Sequence, residues 1–175
     1  MSLTFRKANP EDTDAVFALV ESAYRGDTSR KGWTTEADIF SGDRINAAGV
    51  LAKITEPRGA VLLGYDPAGA LVTCVEVLRR DDKVGYFGMF AVDPLRQGGG
   101  VGRQTLERVE EYVRGEWDAR RLELNVIWIR NELIAWYERR GYRKTEQTKP
   151  FPYAEIVSGK VLRDDLYFVV LDKEL

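Results

Sequence analysis

The chain contains no histidine and a single cysteine, Cys74. The first absence excludes Ser-His-Asp and Cys-His nucleophilic machinery, since each needs an imidazole base. The second excludes an internal disulfide, and together they remove the usual donor sets for zinc. Acids are plentiful, but no spacing among them argues for a carboxylate magnesium site, so no metal is expected. Cys74 lies in the apolar run LVTCVEV and reads as a small core residue. Long apolar runs are also missing, so no bilayer span is expected. The opening MSLTFRKANPED turns polar at once and has no signal-peptide core. Neither sign of charge is in marked excess. A net charge of -2 gives no reason to expect nucleic acid or an anionic membrane as partner. What remains is a 175-residue chain, 44% hydrophobic and 31% charged, which reads as globular and cytoplasmic. It shows no repeat, linker or low-complexity tract, and residues 1–175 read as a single domain.

The hydrophobic pattern predicts an alternation of strands and helices. LTFRK suits a first strand. Asn9-Pro10-Glu11-Asp12 looks like a helix start, with Asn as cap and Pro in the first turn, and Val16, Leu19, Val20 and Ala23 follow at helical spacing. A polar stretch precedes a second helix expected from about Arg44 to Ile54. AVLLGYD, ALVTCVEVLRR and VGYFGMFAVDP, separated by the turns Asp66-Pro67-Ala68-Gly69 and Asp81-Asp82-Lys83, predict a three-stranded meander. Leu106, Val109, Val113 and Trp117 form one apolar helical stripe. RLELNVIW alternates as a strand, NELIAWYERRG reads as a short helix ended by Gly141, and YRKTEQ and DDLYFVVL are two last strands joined by the loop TKPFPYAEI. The order is that of an α/β protein with a mixed sheet.

Between the meander and the striped helix stands RQGGGVGR, with glycine at positions 98, 99, 100 and 102. Glycine is entropically costly, so the cluster needs a reason: a sharp turn, or the close approach of a ligand to backbone. A Walker loop fails, because Arg103 stands where its second Gly is needed, and a Gly-x-Gly-x-x-Gly fingerprint fails at the same residue. Gln97-x-x-Gly100-x-Gly102 after a strand ending in Val92-Asp93-Pro94 is what fits. A helix N-terminus offers unpaired N–H groups and positive potential, a ready anion site, and Arg96 and Arg103 would add charge.

FAVDP followed by QGGGVG, with NELIAWYERRGY further on, resembles the GNAT superfamily of acyl-CoA-dependent N-acetyltransferases. The resemblance implies a mixed, mostly antiparallel sheet of about seven strands flanked by about four helices. It implies acetyl-CoA as cosubstrate, with its pyrophosphate on Gln97, Gly98, Gly99, Gly100, Val101, Gly102 and Arg103. Its pantetheine arm would lie along a splayed strand at Phe90, Ala91 and Val92. It allows a homodimer. Asn131 would either contact the cosubstrate or cap its helix. The family often has a basic residue at position 98 or 99, and here both are glycine. A non-catalytic acyl-CoA sensor and, less well, a nucleotide-binding regulatory domain are the competing readings.

Acetyl transfer to an amine needs a neutral amine, an oxyanion donor and help for the departing thiolate. An alkyl ammonium of pKa about 10.4 costs roughly 4.6 kcal/mol to deprotonate at pH 7. No nucleophile pair suggests an acetyl-enzyme, so direct attack in a ternary complex is expected. By family position Tyr137 is the acid for the thiolate; the other reading is a core aromatic beside Trp136. Many relatives carry a Glu base where this chain has Gly88. Glu76, on the apolar face of its strand with Val72, Cys74 and Leu78, is the substitute; the other reading is a glutamate reaching solvent. Trp33, Glu36, Asp38, Asp43 and Arg44, with Phe151 and Tyr153 beside Pro150 and Pro152, are candidates for holding a small-molecule amine acceptor, acids for the ammonium and aromatics for an apolar body.

Overall fold

The computed structural model describes residues 2–24, 40–41, 45–153, 160–161 and 163–175. The chain runs β1 (Thr4–Lys7), a 3-10 turn (Pro10–Asp12), α1 (Thr13–Tyr24), β2 (Phe40–Ser41), α2 (Ala47–Ile54), β3 (Gly59–Tyr65), β4 (Leu71–Arg79), β5 (Val84–Val92), α3 (Val101–Trp117), β6 (Arg121–Ile127), α4 (Asn131–Glu138), β7 (Arg143–Pro150), β8 (Lys160–Val161) and β9 (Tyr167–Glu174). Seven strands form one sheet in the order β1-β3-β4-β5-β6-β9-β7, and β2 pairs with β8 in a separate ribbon. Only β5 and β6 pair in parallel; every other described pair is antiparallel.

The sheet is buried on both faces, which is why its central strands are apolar at nearly every position. On β3, Ala60 and Leu62 point to one core and Val61 and Leu63 to the other. The first core is roofed by α3 through Leu106, Val109 and Val113, and by α4 through Ile134 and Tyr137. The second is roofed by α1 through Val16, Leu19, Val20 and Ala23, and by α2 through Val50. Cys74 is fully buried in this second core, as its apolar setting implied. The four-residue stripe of α3 is observed, with Trp117 at its partly buried end.

Local chemistry sets the ends of these elements. Asn9 accepts from Glu11 N–H while the Asp12 carboxylate accepts from Asn9 N–H, a reciprocal cap that starts the 3-10 turn leading into α1. Asn46 caps α2 through Gly49 N–H at 2.8 Å, so that helix starts later than the sequence suggests. Thr148, Lys149 and Pro150, expected in a loop, belong to β7; Pro150 is tolerated because β7 is an edge strand. β9 does not simply follow β7 at the edge but inserts between β6 and β7. Trp128 lies just beyond β6, where its indole N–H donates to Asp165 O at 2.9 Å.

One irregularity places the site. Between the pairs Cys74↔Ala91 and Glu76↔Gly88, β5 carries one residue more than β4, and Met89 sits there with φ of 45°. This bulge raises the local twist of β5. The ladder to β6 ends at Tyr86↔Glu123, and the two parallel strands then diverge.

Candidate active site

The divergence opens a cavity of about 420 Å³ between the C-terminal half of β5, the 97–103 loop and α4. Its walls carry Phe90, Ala91 and Val92 from β5, Ala23 and Tyr24 from α1, and Leu133, Trp136 and Tyr137 from α4. Because β6 has left the ladder, β5 over residues 87–92 presents an edge that β6 does not pair. The C=O of Phe90 accepts from the Tyr24 hydroxyl, which fixes the end of α1 against this strand. A smaller cavity of about 60 Å³ lies deeper in the split and shares Tyr24, Phe90, Arg130, Leu133 and Tyr137 with the first.

The glycine loop meets the cavity at the start of α3. Gly98 and Gly100 have φ of 89° and 80°, a left-handed conformation that side chains resist. At Gly102, a Cβ would stand 3.3 Å from the Trp136 ring. Glycine is therefore favoured at 98 and 100 by backbone shape, and at 102 a side chain would press on the Trp136 ring of α4. The first intrahelical bond runs from Gln104 N–H to Gly100 O at 3.0 Å, and no side chain caps the helix. The N–H groups of Val101, Gly102 and Arg103 thus lie ahead of the helical ladder, with the positive end of the helix dipole behind them.

Cationic groups gather on the same rim. Arg103, Arg130, Arg139 and Arg140 line the larger cavity, and among the described residues no carboxylate does. The Arg140 guanidinium lies 3.9 Å from the centre of the Trp136 ring and donates to Trp136 O at 3.0 Å. Burial, with Arg139 and Arg103 nearby, lowers its pKa. Arg103 also reaches Glu107 at 3.1 Å, an exposed pair one turn along the helix.

Tyr137 sits where the two cavities join, 5% exposed, among Phe87, Trp136 and Tyr142. Burial first, then Tyr24, pushes its pKa well above the ordinary phenol value; Arg130 opposes and Tyr86 adds to the rise. The phenol is thus held protonated and able to donate.

Most cosubstrate candidates converge: Phe90, Ala91, Val92, Gln97, Gly98, Gly100, Gly102 and Arg103 all line the larger cavity. Gly99 and Val101 do not, and the Val101 side chain is buried in the protein. Arg96 is corrected as a free cation for the loop: it pairs at 2.8 Å with Asp66, whose side chain is 3% exposed. Asn131 is corrected as a helix cap: Arg130 takes that position, and Asn131 is an exposed first-turn residue away from the cavity. Glu76 is corrected as a carboxylate among apolar neighbours. It is buried, yet Lys53 of α2 pairs with it at 2.9 Å, and it lines neither cavity. Phe151 packs against Tyr153 and Phe168 in a satellite core with Ile127 and Leu166, behind the smaller cavity. Trp33, Glu36, Asp38, Asp43 and Arg44 lie outside the described residues.

Sequence reasoning missed Tyr24, Arg130, Leu133, Trp136, Arg139 and Arg140. For α4 a signal was available: Leu133, Trp136, Tyr137 and Arg140 recur at helical spacing, so one face carries aromatic, phenol and cation together. Tyr24 gave none, being the last residue of an ordinary amphipathic helix.

Comparison with known proteins agrees with this geometry. The sequence pattern described as "Acetyltransferase (GNAT) family" matches residues 15–142. A curated relative, mycothiol acetyltransferase of Salinispora tropica, is 28% identical over 150 residues, covering 81% of this chain and 45% of the relative. The chain thus spans less than half the length of that relative. Among solved structures, a nourseothricin acetyltransferase superposes with a TM-score of 0.68 at 20% identity, covering 99% of each chain. An IAA acetyltransferase from Bacillus cereus gives 0.65 at 18% identity, covering 99% of this chain and 100% of the other. At these identities the structural likeness speaks for the fold.

Proposed function

The chain belongs to the acetyltransferase (GNAT) family, and from that membership we propose that residues 1–175 form one domain that transfers an acetyl group from acetyl-CoA to a primary amine of a small molecule. The observation that carries this reading is the continuity of the split strand, the uncapped N-terminus of α3 and the arginine rim around one cavity. The pyrophosphate would meet the N–H groups at the start of α3, with Arg103, Arg139 and Arg140 supplying charge. The pantetheine arm would extend the sheet along the unpaired edge of β5, as an added strand does. These residues hold and orient the cosubstrate, which brings the activated thioester.

The amine attacks the thioester carbonyl directly, the C–S bond breaks, and the electron pair leaves on sulfur. Tyr137 stands at the junction of the two cavities, where its protonated hydroxyl can donate to the thiolate. A backbone N–H of the β5 edge is the donor for the oxyanion. The ammonium proton leaves to solvent water at the open mouth of the cavity.

The test is acetyl-CoA binding followed by turnover. Acetyl-CoA at 100 times its dissociation constant is expected to stabilise folding by about 2.7 kcal/mol. Free thiol is then expected with pools of polyamines, amino acids or amino sugars, and more slowly with a basic peptide pool. Binding without thiol release from any pool would favour a sensor over an enzyme.

A further inference from the structure

A residue in the wall of the smaller cavity carries an unanswered polar atom. Asn125 Oδ1 is shut off from solvent and has no hydrogen-bond partner. Buried acceptors of this kind cost stability, and native proteins keep few of them. Asn125 lies on β6 between Leu124 and Val126, which point into the first core, so its amide faces the opposite side of the sheet. There it lines the smaller cavity together with Gly88, Tyr24 and Tyr137.

The strand register says what stands around it. Tyr86↔Glu123 is the last rung between β5 and β6. Two residues further along each strand are Gly88 and Asn125, on the same face, now separated by the split. Gly88 contributes no side chain, and the Tyr86 hydroxyl leans to within 3.0 Å of where its Cβ would be. On the far side of Gly88, its cross-strand neighbour is Glu76, already held by Lys53. Asn125 therefore brings one unpartnered acceptor to the wall of the split, in a cavity that Gly88 and Tyr137 also line.

We propose that Asn125 Oδ1 receives an N–H of the acceptor amine and that this cavity selects a primary amine on an unbranched carbon. The proposal rests on the acetyltransferase reading above. The chemistry matches because an amine is a donor and the orphan atom an acceptor. The size matches because one water needs about 10–15 Å³ of such space. A cavity of about 60 Å³ then takes an amino group with one or two carbons. An amine on a branched carbon would press its second substituent against Leu133, Val126 or Phe168.

Three probes separate these ideas: cadaverine and spermidine, whose primary amines sit on CH₂, and glucosamine, whose amine sits on a branched carbon. Wild-type protein is expected to acetylate the first two in preference to the third. Asn125→Leu is expected to raise the KM for cadaverine about 10- to 100-fold, the worth of one hydrogen bond to a charged or polar group. It should leave the acetyl-CoA dissociation constant within about twofold and hold or raise the melting temperature, because the orphan acceptor is gone. Asn125→Asp keeps the oxygen and is expected to restore turnover. Preference for glucosamine, unchanged cadaverine kinetics in Asn125→Leu, or joint loss of stability and activity that Asp does not rescue would each overturn the proposal alone. Acetyl-CoA binding with no thiol release from cadaverine or spermidine would overturn it too. Failure to bind acetyl-CoA at all would instead sink the acetyltransferase reading beneath it.

Discussion

Two hollows on this molecule differ in a way their sizes do not reveal. The larger, about 630 Å³, lies at the opposite end of β4 and β5 and is lined by Arg58, Arg79, Arg80, Asp81, Asp82, Lys83 and Asp118 among others. The smaller, about 420 Å³, is the candidate active site. In the first, charges of both signs answer one another: Arg58 meets Asp81 at 3.2 Å, and Lys83 meets Asp118. In the second, four arginines stand around an aromatic and backbone wall, with no acid among the described lining residues. A hollow whose charges are balanced internally has little to offer an anion. One whose described lining carries only arginine charge, beside a helix N-terminus and a strand edge that β6 does not pair, has three reasons to bind one.

The largest expected effect is at the chemistry itself. Tyr137→Phe should lower kcat about 10²- to 10⁴-fold, the usual worth of a general acid, with acetyl-CoA affinity within about twofold of wild type. Stopped-flow thiol release measures the first and calorimetry the second. Unchanged kcat with chemistry rate-limiting would assign Tyr137 to packing alone.

A smaller effect should separate the two hollows directly. Reversing Arg140 to Glu should weaken acetyl-CoA roughly tenfold or more and flatten the salt dependence of binding, since a repulsive charge replaces an attractive one beside the phosphates. Reversing Arg58 to Glu should leave that affinity within about twofold. Equal losses from both reversals would mean that net charge, and not the site, governs binding.

The smallest effect belongs to the balanced hollow. The Lys83 ammonium holds the Asp118 carboxyl below its ordinary pKa. A carboxylate lowered in the folded state contributes stability above its unfolded pKa and loses it as pH falls through the folded one. Asp118→Asn tolerates the left-handed backbone at this position (φ 49°) and should remove that part of the acid sensitivity. Melting curves from neutral to acid pH would then run closer to parallel with a wild type corrected for its other carboxylates. A mutant with unaltered acid sensitivity would show the pair to be energetically idle, as many exposed pairs are.

Strand and helix identities were legible because apolar residues recur at two distinct periods, and the glycine loop was legible because Gln97, Gly100 and Gly102 sit between a strand and a striped helix. Pairings across distance were not. Nothing local in RKGW through KIT or in VLLGYDP announces that Lys53 will meet Glu76 or that Asp66 will take Arg96. The bulge at Met89 hides in VGYFGMFAVDP, where an aliphatic-aromatic run carries no sign of a left-handed residue. Asn125 was hidden for a related reason: its environment is created by the divergence of β5 and β6, which alternation within either strand cannot express.

The insertion of β9 between β6 and β7 bears on how the chain reaches this form. During synthesis β6 and β7 emerge first; β6 can pair with β5 on one edge, but its other edge and β7 wait for residues 167–174 to bridge them. Both ladders are then laid down late, between segments far apart in sequence, which is the slow kind of strand pairing. Until that moment the apolar side of β6 is an invitation to other chains. The aggregation-prone interval of the nascent protein should therefore last until this one strand clears the ribosome, and a chaperone that shields β6 should shorten it.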